Sequence, residues 1–144
     1  MKISTKGRYA LRMMIFLANS NAGQPVSLKT ISEHQQISMK YLEQIVTQLC
    51  RAALVKSVRG PQGGYVLTRD PEQYTAGEIL RVTEGSLAPV ACLEDKPNQC
   101  DRYGKCSTIP FWEGLYRLVN DYVDSVTLKE LASQTRDMDC LNEL

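Results

Sequence analysis

The sequence predicts a mainly α-helical protein with a small β-wing: a winged helix-turn-helix, then a cysteine-bearing loop, then a long C-terminal helix. Three observations predict it. Two amphipathic helices flank a turn of a few residues, a glycine-rich hairpin follows them directly, and basic charge gathers in the same half of the chain. Residues 1–70 hold ten Lys/Arg against three Asp/Glu, a net +7, whereas residues 71–144 hold seven against thirteen, a net −6. The overall charge of +1 conceals that division. A basic half beside an acidic half points to a polyanion such as double-stranded DNA for the first and to a different task for the second.

The elements follow in order. From Ser4, the residues Tyr9, Ala10, Met13, Met14 and Leu17 recur at helical spacing, and the breakers of NSNAGQP end the run. Ser27 caps a short second helix carrying Leu28 and Ile31 and reaching His34. Ser38 caps a third, in which Leu42, Ile45, Val46, Leu49 and Cys50 form one buried stripe while Lys40, Tyr41, Glu43, Gln44, Thr47, Gln48 and Arg51 fall on the other face. Two β-prone runs, 54–58 and 65–68, are joined by Arg59-Gly60-Pro61-Gln62-Gly63-Gly64, a reversal with a cationic tip. Periodicity alone allows any small helical hairpin; the hairpin of strands that follows turns it into a winged helix-turn-helix.

This arrangement suits a DNA duplex. In a major groove Glu43 can accept from a cytosine amino group and Gln44 can pair with adenine. Ser38, Lys40 and Tyr41 stand at the positive end of the helix dipole, suited to phosphates or base edges. Arg59 at the wing tip can reach a minor groove, and Lys2, Thr5, Lys6 and Arg8 can hold a flanking phosphate. Any one of these is more often a solvated side chain; their concentration on consecutive elements is the signal.

Beyond Pro71 a short helix begins near Thr75 and ends at Gly85. Residues 86–110 then read as an irregular loop, too long for a plain connector, and a long helix resumes at Phe111. Trp112, Leu115, Val119, Tyr122 and Val126 step by three and four, a seam for a partner helix, so a homodimer is expected, with packing inside one chain as the alternative. Phe111 and Leu118 lie off that seam and are expected on the chain's own core. Leu128, Leu131 and Ala132 suggest one more short helix. The predicted division is therefore 1–84 for the DNA-binding domain, 85–110 for the sensor loop, 111–136 for the dimerisation and short C-terminal helices, and 137–144 for a flexible tail.

With 43% hydrophobic and 23% charged residues the composition is that of an ordinary globular domain. No apolar run is long enough to span a membrane and MKISTKGRYALRMMIF lacks a secretory cleavage site, so a cytoplasmic location is expected. One histidine, no nucleophile–base pair and no phosphate loop argue against an enzyme. Cys92, Cys100 and Cys106, spaced C-x7-C-x5-C, cluster in the loop. Gathered thiolates suit an iron–sulfur cluster (2Fe-2S or 4Fe-4S) better than zinc, whose ribbons use paired C-x2-C. Unligated thiols and a regulatory disulfide are the alternatives. A fourth ligand is open: Ser107, Asp101, Glu94, Asp95, Cys140, a group from a dimer mate or a small molecule. His34 is expected to be a surface or packing residue, and Cys50 to belong to the core.

The segments MKISTKGRYALRMM, SMKYLEQIV, SVRGPQGGYVL, TAGEILRVTEG and VTLKELAS together resemble the Rrf family of bacterial winged-helix transcription regulators across nearly the whole chain. The resemblance implies a homodimer through the long C-terminal helix and a cluster held by Cys92, Cys100 and Cys106. It also implies base or phosphate contacts from Ser38, Lys40, Tyr41, Glu43, Gln44 and Arg59, supported by Thr5, Lys6, Arg8 and the wing residues Gly60, Pro61, Gly63 and Gly64. The function implied is a repressor whose operator affinity reports cluster status, iron, redox state or nitric oxide. The alternative is a regulator of cysteine or sulfur metabolism that works without a cluster, through a regulatory protein partner or thiol oxidation. The chain departs from the cluster-binding pattern in its first cysteine gap, seven residues rather than five, and in having Ile109 and Arg8 where the family's fourth ligands stand.

Overall fold

The burial of α3 organises the molecule, which a computed structural model describes over residues 2–20 and 23–134. The order is α1 (Thr5–Asn19), α2 (Leu28–Gln35), α3 (Met39–Arg51), β1 (Val55–Val58), β2 (Gly64–Leu67), α4 (Ala76–Glu84) and α5 (Ile109–Ser125), with residues 128–134 helical again. A winged helix-turn-helix is thus followed by a long helix, the fold class that the sequence predicts. The proposed tail 137–144 and Cys140 lie outside the described residues.

Four helices start where a hydroxyl side chain can take up an orphan backbone N–H. Ser4 accepts from Gly7, Ser27 from Thr30, Ser38 from Tyr41 and Thr75 from Glu78. Each helix then turns an apolar stripe inward. Met13 and Met14 of α1, Ile31 of α2, Leu42, Ile45 and Leu49 of α3 and Ile79 of α4 are fully buried in one cluster. Leu128 joins them from beyond α5.

The two strands pair antiparallel, with Val55 opposite Leu67 and Val58 opposite Gly64. A bridge from Val26 to Tyr65 ties the returning strand to the segment before α2. The wing is fastened to the helices by Tyr74, which is buried completely. Its hydroxyl donates to the Leu54 carbonyl at 2.7 Å and accepts from the backbone N–H groups of Thr68 and Arg69 at 2.9 and 3.0 Å. The Arg69 guanidinium lies over its ring, 4.3 Å from the centroid.

Two expectations are corrected. The long helix begins at Ile109, two residues before Phe111, because Pro110 sits in its first turn, where a missing N–H costs nothing. Phe111 and Leu118 do not pack on the core: they are 65% and 68% exposed, because the face of α5 turned toward α4 is built from other residues, Asn120 and Asp124 among them.

Removing the Tyr74 hydroxyl by Tyr74→Phe leaves the Arg69 N–H short of a partner and takes from the Leu54 carbonyl its shortest donor, Thr68 remaining as the other. The expected cost is about 1–3 kcal/mol of unfolding free energy, read from urea denaturation, with the helical circular dichroism of the native state unchanged.

Candidate nucleic-acid interface and cysteine loop

α3 divides cleanly. Against its buried stripe, Met39, Lys40, Glu43, Gln44 and Thr47 are exposed, and the side chains of Lys40, Glu43 and Gln44 meet no hydrogen-bond or ionic partner among the described residues. They are free to meet a ligand. Ser38 at the start of the helix and Tyr41 and Gln48 on that face are less free. The Ser38 hydroxyl is spent on capping, accepting from the Tyr41 N–H at 3.2 Å. Tyr41 is half-buried, its ring edge-on to Tyr9 of α1 with centroids 5.5 Å apart. Gln48 is half-buried too, with its Oε1 unpartnered among the described residues.

The turn before α3 decides how that helix is presented. Gln36 adopts a left-handed conformation, φ 55°, and the Ser32 hydroxyl donates to the Ile37 carbonyl at 2.6 Å. Arg12 of α1 reaches across to the same turn, donating to Gln35 Oε1 at 3.2 Å and to the Gln35 carbonyl, with its guanidinium 5.3 Å from the Tyr9 ring centroid. Sequence reasoning had Arg12 only as part of the charge count. Its partner is 23 residues away, and nothing local to either residue announces the pair.

Lys2, ahead of α1, and Arg8 on it are exposed, and Thr5 and Lys6 are half-buried. Arg8 donates to Thr5 Oγ1 at 3.2 Å, so these two act as a unit. The wing tip carries Arg59, Gly60, Pro61 and Gln62 in exposed positions. Gly60 has φ +124°, a conformation open essentially to glycine, and its carbonyl accepts from the Gly63 N–H at 3.0 Å. At Gly64 a Cβ would stand 2.4 Å from the Val26 carbonyl oxygen, so this glycine lets the returning strand pass the chain before α2. Gly63 and Gly64 thus shape the wing, and Arg59 carries its charge.

The cysteine loop contains two short 3-10 turns, Ala91–Leu93 and Tyr103–Lys105. Asn98 links its first two cysteines: its side-chain amide donates to the Cys92 carbonyl, and its Oδ1 accepts from the Cys100 N–H at 2.8 Å. Cys106 lies 3.3 Å from the Thr108 hydroxyl, which, with the backbone N–H groups opening α5 and nearby Arg102, holds the thiol below its ordinary pKa. Cys100 is exposed and Cys92 and Cys106 half-buried. Three thiols are a fitting donor set for an iron–sulfur cluster. Their arrangement is not: among the described residues no three His, Cys, Asp or Glu side chains converge on a point that could hold a metal ion. Glu94, Asp95, Asp101 and Ser107 are exposed and add no ligand. Cys50 is half-buried against the core, and burial raises its pKa. His34 bonds through Nδ1 to the Thr30 carbonyl at 2.9 Å and lies against Phe16.

On α5 the most exposed apolar residues are Phe111, Leu118 and Tyr122. Trp112, Leu115 and Val119 are half-buried. Val126 lies past the helix end, where its carbonyl accepts from the Ala76 N–H at 2.9 Å.

Comparison with known proteins accounts for this combination. The family model described as "Rrf2: Iron-dependent Transcriptional regulator" matches residues 3–134. The chain belongs to the Rrf2 family. It is 46% identical to the transcriptional regulator CymR of Bacillus subtilis over 135 residues, which is 94% of this chain and 92% of that protein. The solved structure of CymR, the global cysteine regulator of B. subtilis, superimposes with a TM-score of 0.77 at 45% identity, covering 93% of this chain and 98% of CymR. IscR of T. potens superimposes with a TM-score of 0.76 at 40% identity, covering 94% and 88%. This Rrf2 chain is therefore a DNA-binding transcription regulator of winged-helix type and not an enzyme. No helix among its described residues is long and apolar enough to cross a membrane.

Lys40→Ala and Arg59→Ala each remove one unpartnered cation. Each is expected to weaken binding to any duplex and to lower the steepness of the log affinity against log salt plot by about one. A salt titration followed by fluorescence anisotropy checks it, and an unchanged slope in both variants would place the phosphates elsewhere.

Proposed function

We propose that this chain is a homodimeric, operator-binding repressor whose hold on DNA is set by the thiols of its loop. In this reading residues 1–84 are the reading head, 85–110 the sensor and 111–136 the dimerisation element. The observation that carries it is the exposed, unpartnered set Lys40, Glu43 and Gln44 on α3 beside the cationic wing tip at Arg59. Glu43 and Gln44 would read base edges, while Lys40, Arg59 and the Thr5, Lys6 and Arg8 group would hold phosphates.

The exposed face of α5 supports the dimer. Phe111, Leu115, Leu118 and Tyr122 are spaced four, three and four residues apart, so they share one side of the helix. They replace the Trp112, Val119 and Val126 part of the predicted seam, while Leu115 and Tyr122 are common to both. A two-fold partner on this face would cover apolar surface that water otherwise wets and would present two reading heads to a palindromic site.

For the signal, a cluster on Cys92, Cys100 and Cys106 is supported by the donor chemistry and by the family's description as iron-dependent. It requires residues 86–108 to close around the group, since the thiols do not converge as they stand. When bound, such a group would supply sensitivity to iron, oxidants or nitric oxide. The second reading, control by thiol oxidation or by a protein partner, is favoured by that same lack of convergence and by the similarity to CymR, a cysteine regulator.

Anaerobic reconstitution with iron and sulfide separates the two. The expected result is a coloured protein with bound iron and sulfide, operator affinity that differs from the apo form, and loss of colour in Cys100→Ala with the fold retained. A colourless protein whose operator affinity follows thiol oxidants or an added partner would establish the second reading. Leu118→Glu is expected to convert the dimer to monomer in sedimentation and to abolish binding to a two-half-site operator.

A further inference from the structure

We infer that Arg81 is the positioning residue that sets the angle between α5 and the reading head, and so the half-site spacing the protein accepts. The inference rests on the dimeric operator-binding reading above. Arg81 projects from α4 and grips α5 in a fork: Nη1 donates to Asp124 Oδ1 at 2.7 Å, and Nη2 to Asp124 Oδ2 at 3.0 Å and to Asn120 Oδ1 at 2.8 Å. Two carboxylate oxygens and an amide oxygen on adjacent turns hold a planar guanidinium in one orientation only, so the contact fixes direction as well as distance. The helices approach closely at this point. A Cβ at Gly77 of α4 would stand 2.1 Å from Asp124 Oδ1 and 2.8 Å from Val123 Cγ2.

A second attachment between these segments lies just past Asp124, at the C-terminal end of α5. There a backbone bridge joins Thr75 to Thr127, the Ala76 N–H donates to the Val126 carbonyl at 2.9 Å, and the Leu128 N–H donates to the Tyr74 carbonyl at 3.0 Å. α5 is thus pinned at its C-terminal end and oriented by Arg81 one turn further in, while its N-terminal turns carry the exposed Phe111 and Leu118. The same last turn of α4 grips α1. Glu84 Oε1 accepts from both the backbone N–H and the hydroxyl of Ser4, at 3.0 and 2.6 Å, and Ser4 caps the helix that carries Thr5, Lys6 and Arg8. The last turn of α4 therefore carries two polar clamps, one to α5 and one to α1.

Leverage makes the angle matter. A 17-residue helix is about 26 Å long, so a rotation of about 10° about its pinned end moves the other end by roughly 4 Å. That is close to one base-pair step, about 3.4 Å along the duplex, and two-fold symmetry would apply the shift to both heads. The fork is worth little as stability: its two charged side chains remain 35% and 45% exposed, a setting in which ion pairs add little. Its effect would appear in geometry.

The test uses the full-length protein and an operator selected by the wild type from random duplexes. Affinity is measured for that operator, for versions with the half-sites one base pair closer or farther apart, and for a single half-site. The wild type is expected to favour its own spacing about tenfold. Arg81→Gln should bring the three spacings to within about threefold of one another while leaving the single half-site affinity and the dimer intact. Arg81→Lys, which keeps the charge and loses the fork, should behave like Arg81→Gln. Asn120→Ala, which spares the ion pair, provides a milder variant should Arg81→Gln fail to fold, and should relax spacing part-way. Retained spacing discrimination in the folded variants overturns the inference while leaving the operator reading in place. A wild type that sediments as a monomer or selects no paired site overturns both.

Discussion

The outward face of α3 can meet a ligand only because its inward face is sealed. Leu42, Ile45 and Leu49 have no exposed surface, and they share one buried cluster with Met13 and Met14 of α1, Ile31 of α2 and Ile79 of α4. Burying a leucine or isoleucine of this kind is worth about 1.5–3 kcal/mol each, so the helix cannot rotate by one residue without losing several such contributions. The positions of Lys40, Glu43 and Gln44 follow from that lock, as does the requirement that Tyr41, at the margin, be satisfied by packing on Tyr9. Every other feature of the head either supports this orientation or transmits it.

The supports are polar and long-range. Arg12 joins α1 to the turn before α3, Tyr74 joins the wing to the helices, Glu84 joins α4 to the cap of α1, and Arg81 joins α4 to α5. Apolar packing sets how close the helices come, but a hydrophobic contact is indifferent to small rotations. A carboxylate or carbonyl at 2.6–3.0 Å from a fixed donor is not. A DNA-binding regulator gains from such directional contacts, because a rigid duplex penalises an error of even a few ångströms.

How far the sequence was legible follows the same division. Helices α2 and α3 were visible because Ser27 and Ser38 cap them and their apolar residues recur at three and four. The hairpin was visible because Gly60, Pro61, Gly63 and Gly64 leave few alternatives to a reversal. Those signals are local. Arg81 and Asp124 are 43 residues apart, Ser4 and Glu84 are 80 apart, and in one sequence each looks like another surface charge. The expectation that Phe111 and Leu118 pack on the chain's own core failed for a related reason. Periodicity identifies which residues share a face, but α5 carries apolar residues on more than one side, and only the contacts of Asn120 and Asp124 reveal which side α4 has taken. The cysteine loop had no periodicity to read, and its spacing spoke to donor chemistry without fixing where the thiols stand.

The division of charge takes on a firmer meaning in three dimensions. Ten cations fall within residues 1–70, yet among the described residues only Arg69 has a carboxylate partner, Glu78. Arg8 and Arg12 donate to neutral oxygens instead, which orients them without cancelling their charge. The other two ion pairs, Arg81–Asp124 and Lys129–Glu72, lie wholly within the acidic half. The field of the basic half is therefore left uncompensated by its own fold. Such a field draws a polyanion at long range and holds it with a strength that salt can tune. The acidic half, by contrast, spends part of its charge on internal geometry; its loop is neutral, with Lys96, Arg102 and Lys105 against Glu94, Asp95 and Asp101, and α5 keeps a small negative surplus that repels the same polyanion.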